Sequence, residues 1–204
     1  MSVGLVILVA GAAGAVTLPM IYVRTPYNQN REFPVGQPVQ FDHRHHVQDD
    51  GIDCRYCHSG AEKGAFAGIP STDVCMGCHA QIWNQSPMLD PIRRSYFSGQ
   101  PVRWNRVHRL PDFVYFDHSV HVKGGVGCVS CHGRVDRMAL DYQVAPLTMG
   151  WCLDCHRDPS RQRRPLAAVA SMTWTHGGTP PPPIAHDRPG RTVDGLTTCT
   201  ACHR

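Results

Sequence analysis

Every cysteine of this 204-residue chain belongs to one five-residue pattern, Cys-x-x-Cys-His, which occurs five times. The copies are Cys54-Arg-Tyr-Cys57-His58, Cys75-Met-Gly-Cys78-His79, Cys128-Val-Ser-Cys131-His132, Cys152-Leu-Asp-Cys155-His156 and Cys199-Thr-Ala-Cys202-His203. Structural zinc would suit Cys54/Cys57 and Cys75/Cys78, since 17 residues separate the two pairs, but four zinc ligands leave a histidine behind every pair unexplained. A disulfide framework would suit an even cysteine count in an exported chain. Thioredoxin-like redox chemistry needs a βαβ context that is absent. Neither accounts for the histidines. Attachment of c-type haem accounts for all three positions. The two thiols add to the vinyl groups on one edge of the porphyrin, and the next residue falls beneath the iron as its proximal ligand. The expectation is therefore five covalently attached c-type haems, with His58, His79, His132, His156 and His203 as proximal ligands.

Two stretches repeat one another. Residues 41–58, FDHRHHVQDDGIDCRYCH, and 116–132, FDHSVHVKGGVGCVSCH, both read Phe-Asp-His-x-x-His-Val, then a glycine-containing turn, then the pentapeptide. Each is followed by a second pentapeptide, so two dihaem modules, about 38–80 and 113–157, precede a fifth site. An internal duplication explains this. The extra histidines have a use, because a low-spin electron-transfer haem fills its sixth position with His or Met. Side chains at i and i+3 share a helical face but diverge, which suits two neighbouring haems. His43 and His118 are expected to serve the haem just downstream, and His46 and His121 to reach other haems and tie the modules together. For a further distal place His108 and Met149 are alternatives, a thioether at Met149 raising the potential of its haem. His186 is a third, for the last haem. His45 and His176 read as surface or propionate-contacting residues.

The rest of the chain contributes an anchor and connections. Residues 2–23 carry no charge, and a helix of that length spans roughly 30 Å, the thickness of a bilayer core. The run is longer than the apolar part of a signal peptide, so a retained transmembrane anchor is expected over 1–23. Gly11 with Ala15, and Ala10 with Gly14, make a small-residue face for another membrane helix. No Lys or Arg precedes the run, and a short basic segment is expected ahead of it. A linker covers 24–37. The first module with its connecting segment covers 38–112, the second 113–157, and a Pro-rich spacer with the fifth site 158–204. Residues 80–107 and 157–198 read as linkers, TPPPPIAH (179–186) as a polyproline spacer, and RQRRP (161–165) as a solvated loop or a contact for propionates or an acidic partner. Short helices are expected after the pentapeptides. The four tryptophans are expected on haem faces, with porphyrins supplying most of the core. The formal charge of +4 is spread out, and no basic stripe with interleaved aromatics points to nucleic acid.

Phe-x-His-x-x-His ahead of Cys-x-x-Cys-His resembles the class III (c3/c7-type) multihaem cytochromes. The apolar N-terminus with GIDCRYCH, GIPSTDVCMGCH, LPDFVYFDHSVHV, GVGCVSCHGRVD and MGWCLDCHRDP is similar to the pentahaem cytochrome c subunit of alternative complex III, a bacterial quinol:electron-acceptor oxidoreductase, over about 20–160. The resemblance implies a mostly irregular and α-helical fold of haem-packed modules with one N-terminal transmembrane helix and little or no sheet. It implies a single-pass protein of the inner membrane with its haems on the periplasmic side. Its partners would be an iron–sulfur/molybdopterin-like subunit, polytopic quinol-binding subunits and a monohaem cytochrome c subunit. The chain would then be an electron-transfer subunit and not itself a catalyst. A multihaem nitrite or hydroxylamine-type reductase would need a haem with an open axial site, whereas all five pentapeptides end in His and eight further histidines are at hand. An independent quinol dehydrogenase would need a quinone pocket that a single helix does not offer.

Overall fold

The computed structural model describes residues 2–177 and 193–203. The uncharged N-terminal run forms α1 (Val3–Tyr22), apolar on every face and with no buried residue. At 20 residues it is long and apolar enough to cross a membrane. Arg24 closes it by donating to the Met20 carbonyl at 2.6 Å, a cation placed at the negative end of the helix.

Beyond α1 the chain runs extended onto the middle of the fold. Glu32 and Val35 donate their N–H groups to the carbonyls of Gln143 and Asp141, both at 2.9 Å. Arg31 and Gln143 form an isolated parallel bridge, and Val126 and Arg163 an antiparallel one. Among the described residues there is no longer strand, as the near absence of sheet in the sequence reading requires.

The remaining helices are short. They are α2 (Cys54–Cys57), α3 (Thr72–His79), α4 (Asp90–Ser98), α5 (His118–Lys123), α6 (Val129–His132), α7 (Met149–Arg157) and α8 (Cys199–Cys202). Helices were expected to follow the pentapeptides, yet α2, α3, α6, α7 and α8 are built on them. The reason is geometric, since one helical turn puts residues i and i+3 on the same face, as two thiols that must reach one porphyrin edge require. Asp53 starts α2 by accepting from the Arg55 N–H, and Thr148 starts α7 by accepting from the Trp151 N–H, which satisfies backbone donors that have no intrahelical partner. The first His-x-x-His turn is wider, a π-type turn over Arg44–Asp49 with His43 at its head.

Residues 80–107 are more than a linker. Helix α4 packs on α3, and Val39, Met76, Leu89 and Ile92 make a small core there, flanked by Cys75, Val102 and Trp104. Its signals were in the sequence: Pro91 in the first turn and Gly99 just past the end, at φ 68°. Elsewhere the buried apolar residues are few, namely Val122, Met138, Ala145 and Val169.

The basic run 161–165 also departs from expectation. Arg163 and Arg164 are buried. Arg163 Nε donates to the Gly124 carbonyl at 2.8 Å, and Arg164 Nη1 to that of Ser171 at 2.9 Å. A guanidinium with several fixed donors can satisfy backbone carbonyls that a loop would otherwise bury unpaired. Trp174 stands under Arg164, whose guanidinium carbon is 5.1 Å from a Trp174 ring centre, and Trp104 packs on the α3–α4 core. Trp83 is exposed. The polyproline spacer 179–186, and His186 within it, lie outside the described residues.

Candidate haem-attachment sites

The ten cysteines are unpaired, and among the described residues no three His, Cys, Asp or Glu side chains converge as a metal-binding group. The pairs therefore build neither a disulfide framework nor a four-ligand zinc site. What the fold does bring together is imidazole against imidazole. An imidazole nitrogen about 2.0–2.1 Å from a metal places its ring centre about 3.2 Å away, so two imidazoles on opposite sides of one metal have centroids about 6.4 Å apart. His46 and His79 have ring centroids 6.1 Å apart, His121 and His156 6.1 Å, and His118 and His132 6.3 Å. Each of these pairs joins one pentapeptide histidine to one histidine of a Phe-Asp-His-x-x-His turn.

The rings are also oriented for ligation. His58, His79, His156 and His203 donate Nδ1–H to the backbone carbonyls of Gly68, Ile82, Leu196 and Phe113, at 2.7, 3.0, 2.8 and 3.1 Å. His46, His118 and His121 donate theirs to those of Asp42, Ala65 and Asp117, at 3.0, 2.7 and 2.8 Å. A proton held on Nδ1 leaves Nε2 with its lone pair, the arrangement that fixes tautomer and ring angle in metal-ligating histidines.

The duplication persists in three dimensions. Phe41 stacks on His46 (4.4 Å, 26°) and meets His43 edge-on (4.7 Å, 80°). Phe116 does the same to His121 (4.5 Å, 28°) and His118 (4.8 Å, 88°). Each phenylalanine holds two imidazoles in divergent directions. The repeated Phe was visible in the sequence, but its role as a wedge between two rings was not.

The two histidines of each turn differ in reach. His46 and His121 face the second pentapeptide of their own half. His43 and His118 are the ones that cross between halves. His118 bonds to Ala65 in the first half, and His43 Nδ1 lies 2.9 Å from Asp141 Oδ1 in the second, although without the alignment of a hydrogen bond.

His132 is the most deeply placed of these rings. Burial, with His108, His118, His58 and His43 around it, pushes its pKa down to about 3, so the ring stays neutral, as a ligand must. Burial also lowers the pKa of His121 and His108. His108 lies 4.4 Å from His132 at 73°, too close for two rings on opposite sides of one metal. Its Nε2 is buried with no hydrogen-bond partner, and such an orphaned nitrogen is costly unless something binds it. Met149 opens α7 one turn before Cys152 and is exposed. His45 is exposed beside Asp49 and Asp50, and His176 spends its Nε2–H on the Arg161 carbonyl at 2.9 Å. Neither presents a free ligating nitrogen toward a pentapeptide.

The thiols neighbour one another across sites. The neighbouring Cys128, with burial, raises the Cys54 pKa, and Cys54 lowers that of Cys128 despite burial. Burial, with Cys155 and Cys152 nearby, pushes Cys131 up to about 12. Paired thiols on one helical face, an imidazole behind each pair, and imidazole pairs at metal-spanning separation make a donor set that fits c-type haem.

The loop after His58 supplies two of the carbonyls that orient rings, from Ala65 and Gly68. It closes on Gly60, whose N–H donates to the Ala67 carbonyl at 3.0 Å. A Cβ at Gly60 would collide with the Phe66 carbonyl oxygen and lie 2.8 Å from that of Ala67. Gly60→Ala is expected to open the loop and cost about 2 kcal/mol or more. It would broaden the spectra of any haems that the His58 and His118 rings hold, while one held by His156 would be unchanged. Thermal unfolding and low-temperature EPR check both parts.

Known proteins agree with this construction. Residues 114–204 match the family of cytochrome c7 and related cytochrome c. The chain is 40% identical over 102 residues to the multihaem cytochrome c subunit of a menaquinone reductase from Nitratidesulfovibrio vulgaris, half of this chain and 48% of that protein. The match thus spans about half the length of that relative. Mostly helical and irregular, without sheet among its described residues, the chain is similar over residues 114–204 to cytochrome c7 and related cytochrome c.

Proposed function

We propose that this chain is a membrane-anchored pentahaem cytochrome that relays electrons of quinol oxidation, inside a multisubunit quinol:electron-acceptor oxidoreductase of the alternative complex III type, to a periplasmic acceptor. Five c-type haems would be held by the ten pentapeptide cysteines, with His58, His79, His132, His156 and His203 beneath the irons. Haem supplies one-electron redox chemistry when bound. The protein's part is to attach, orient and bury. One observation carries the reading: facing imidazoles at 6.1–6.3 Å, with Nδ1 protonated on His46, His79, His118, His121 and His156. Such pairs close both axial positions, which favours electron transfer over binding a substrate at iron. We assign His46, His118 and His121 as distal ligands opposite His79, His132 and His156. His43 and His108, beside His132, serve the remaining part of that cluster. With His121 opposite His156, Met149 is not needed at the Cys152/Cys155 site. Helix α1 would anchor the chain and dock on polytopic quinol-binding subunits, with an iron–sulfur/molybdopterin-like subunit and a monohaem cytochrome as further partners.

The relative's name favours a second reading of direction. It belongs to a menaquinone reductase, so electrons could run through this chain toward the quinone pool. Purification in mild detergent, followed by mixing with a menaquinol analogue, tests the proposal. The expected result is rapid haem reduction in the copurified complex and none in the isolated chain. Equal reduction of the isolated chain would make it a quinol dehydrogenase in its own right. A complex oxidised by menaquinone, but not reduced by menaquinol, would reverse the direction. A high-spin EPR signal shifted by nitrite would favour a reductase.

A further inference from the structure

We infer that the five attachment sites form one unbranched row that departs from chain order: Cys75/Cys78, Cys54/Cys57, Cys128/Cys131, Cys152/Cys155, Cys199/Cys202. This rests on the haem reading above.

Four junctions carry the order. Between Cys75/Cys78 and Cys54/Cys57, the turn that leads into α2 also faces α3. Ile52 donates its N–H to the His46 carbonyl at 3.0 Å, while the His46 ring faces His79. The second junction joins the halves. Cys54 and Cys128 both lean on one loop: Cys128 donates its N–H to the Val169 carbonyl at 3.0 Å, and Cys54 Sγ lies 4.0 Å from that of Ala170. The loop after His58 covers the same seam, its Gly64 and Ala65 carbonyls accepting from Ser119 and His118.

At the third junction α5 acts as a two-sided bracket, with His118 facing His132 and His121 facing His156. The fourth is made by the C-terminal segment folding back. His156 donates Nδ1–H to the Leu196 carbonyl at 2.8 Å. Tyr115 donates its N–H to the Cys202 carbonyl at 2.8 Å, which sets the last site against the start of the second half.

Exposure agrees independently. Cys78 and Cys199 are exposed, and the other eight cysteines are partly buried. The exposed thiols belong to the two ends of the row. A redox partner that docks by close approach therefore meets the Cys75/Cys78 site or the Cys199/Cys202 site, while the Cys128/Cys131 site is central. The first two pentapeptides are reversed because the halves join through the earlier one.

A map of the iron positions in the purified holo-complex, by cryo-EM or anomalous diffraction at the iron edge, tests the row. The iron at Cys54/Cys57 is expected between those at Cys75/Cys78 and Cys128/Cys131, and the irons at Cys75/Cys78 and Cys199/Cys202 farthest apart. A Cys75/Cys78 iron nearer to the Cys128/Cys131 iron than to the Cys54/Cys57 iron would overturn the order, as would a branched cluster. The map does not depend on which donor reduces the chain. Failure with menaquinol would sink the proposed function and leave the row intact, whereas fewer than five irons would sink the haem assignment itself.

Discussion

His121→Met is expected to raise the potential of the haem attached at Cys152/Cys155 by about 100 mV or more, because a thioether in place of imidazole favours the ferrous state. The haem attached at Cys128/Cys131 should stay nearly unchanged, although it is the closer one in sequence. His121 faces His156 at 6.1 Å, while His118, three residues earlier, faces His132 at 6.3 Å. His118→Met should therefore move the Cys128/Cys131 haem and leave the other. Spectroelectrochemical titration of each variant reads both effects. Exchange of the two results would mean the pair serves the opposite irons, and equal shifts would mean the residues act only through packing. Phe116→Ala separates those roles. It removes the wedge that touches both rings, so it should broaden both haems without the upward step that a changed ligand produces.

A chain made without haem attachment is expected to have no cooperative thermal transition and to be digested across 38–204 outside residues 72–104. Its buried apolar side chains are few: Val39, Met76, Leu89, Ile92, Val122, Met138, Ala145 and Val169. Among the described residues no helix after α1 exceeds nine residues, and α2, α6 and α8 have four. Helices of that length do not persist in water unless tertiary packing holds them. No sheet among the described residues replaces them. Burial is the main favourable term in folding, and ordering this much chain opposes it. The remaining apolar surface must come from the groups that the cysteines hold, as bound metals supply folding energy in small domains. Circular dichroism and limited proteolysis of protein expressed without the haem-attachment machinery measure this. A protease-resistant fragment from both halves would refute it. Residues 72–104 are the one stretch where partial order should survive, since α3 and α4 pack on their own small core.

Sequence reasoning missed α4 because apolar periodicity there is short. Its Pro91 and Gly99 punctuation would have found it. It also missed the burial of Arg163 and Arg164, because nothing in a basic run announces that carbonyls 39 and 7 residues away along the chain will need its donors.

The sequence by itself determined where the Cys-x-x-Cys-His pattern falls, that it occurs five times, and that one half repeats the other. Covalent chemistry imposes this spacing locally: two thiols and an imidazole must meet one ring within a single turn of chain. Only the tertiary structure decided which imidazole faces which, that His43 and His118 reach across the halves while His46 and His121 stay within them, and that His108 sits against His132. Three-residue spacing gives two side chains divergent directions but not their destinations. Those depend on carbonyls such as Ala65 and Leu196, brought up from 53 and 40 residues away, and contacts of that range exist only once the chain has closed around its sites.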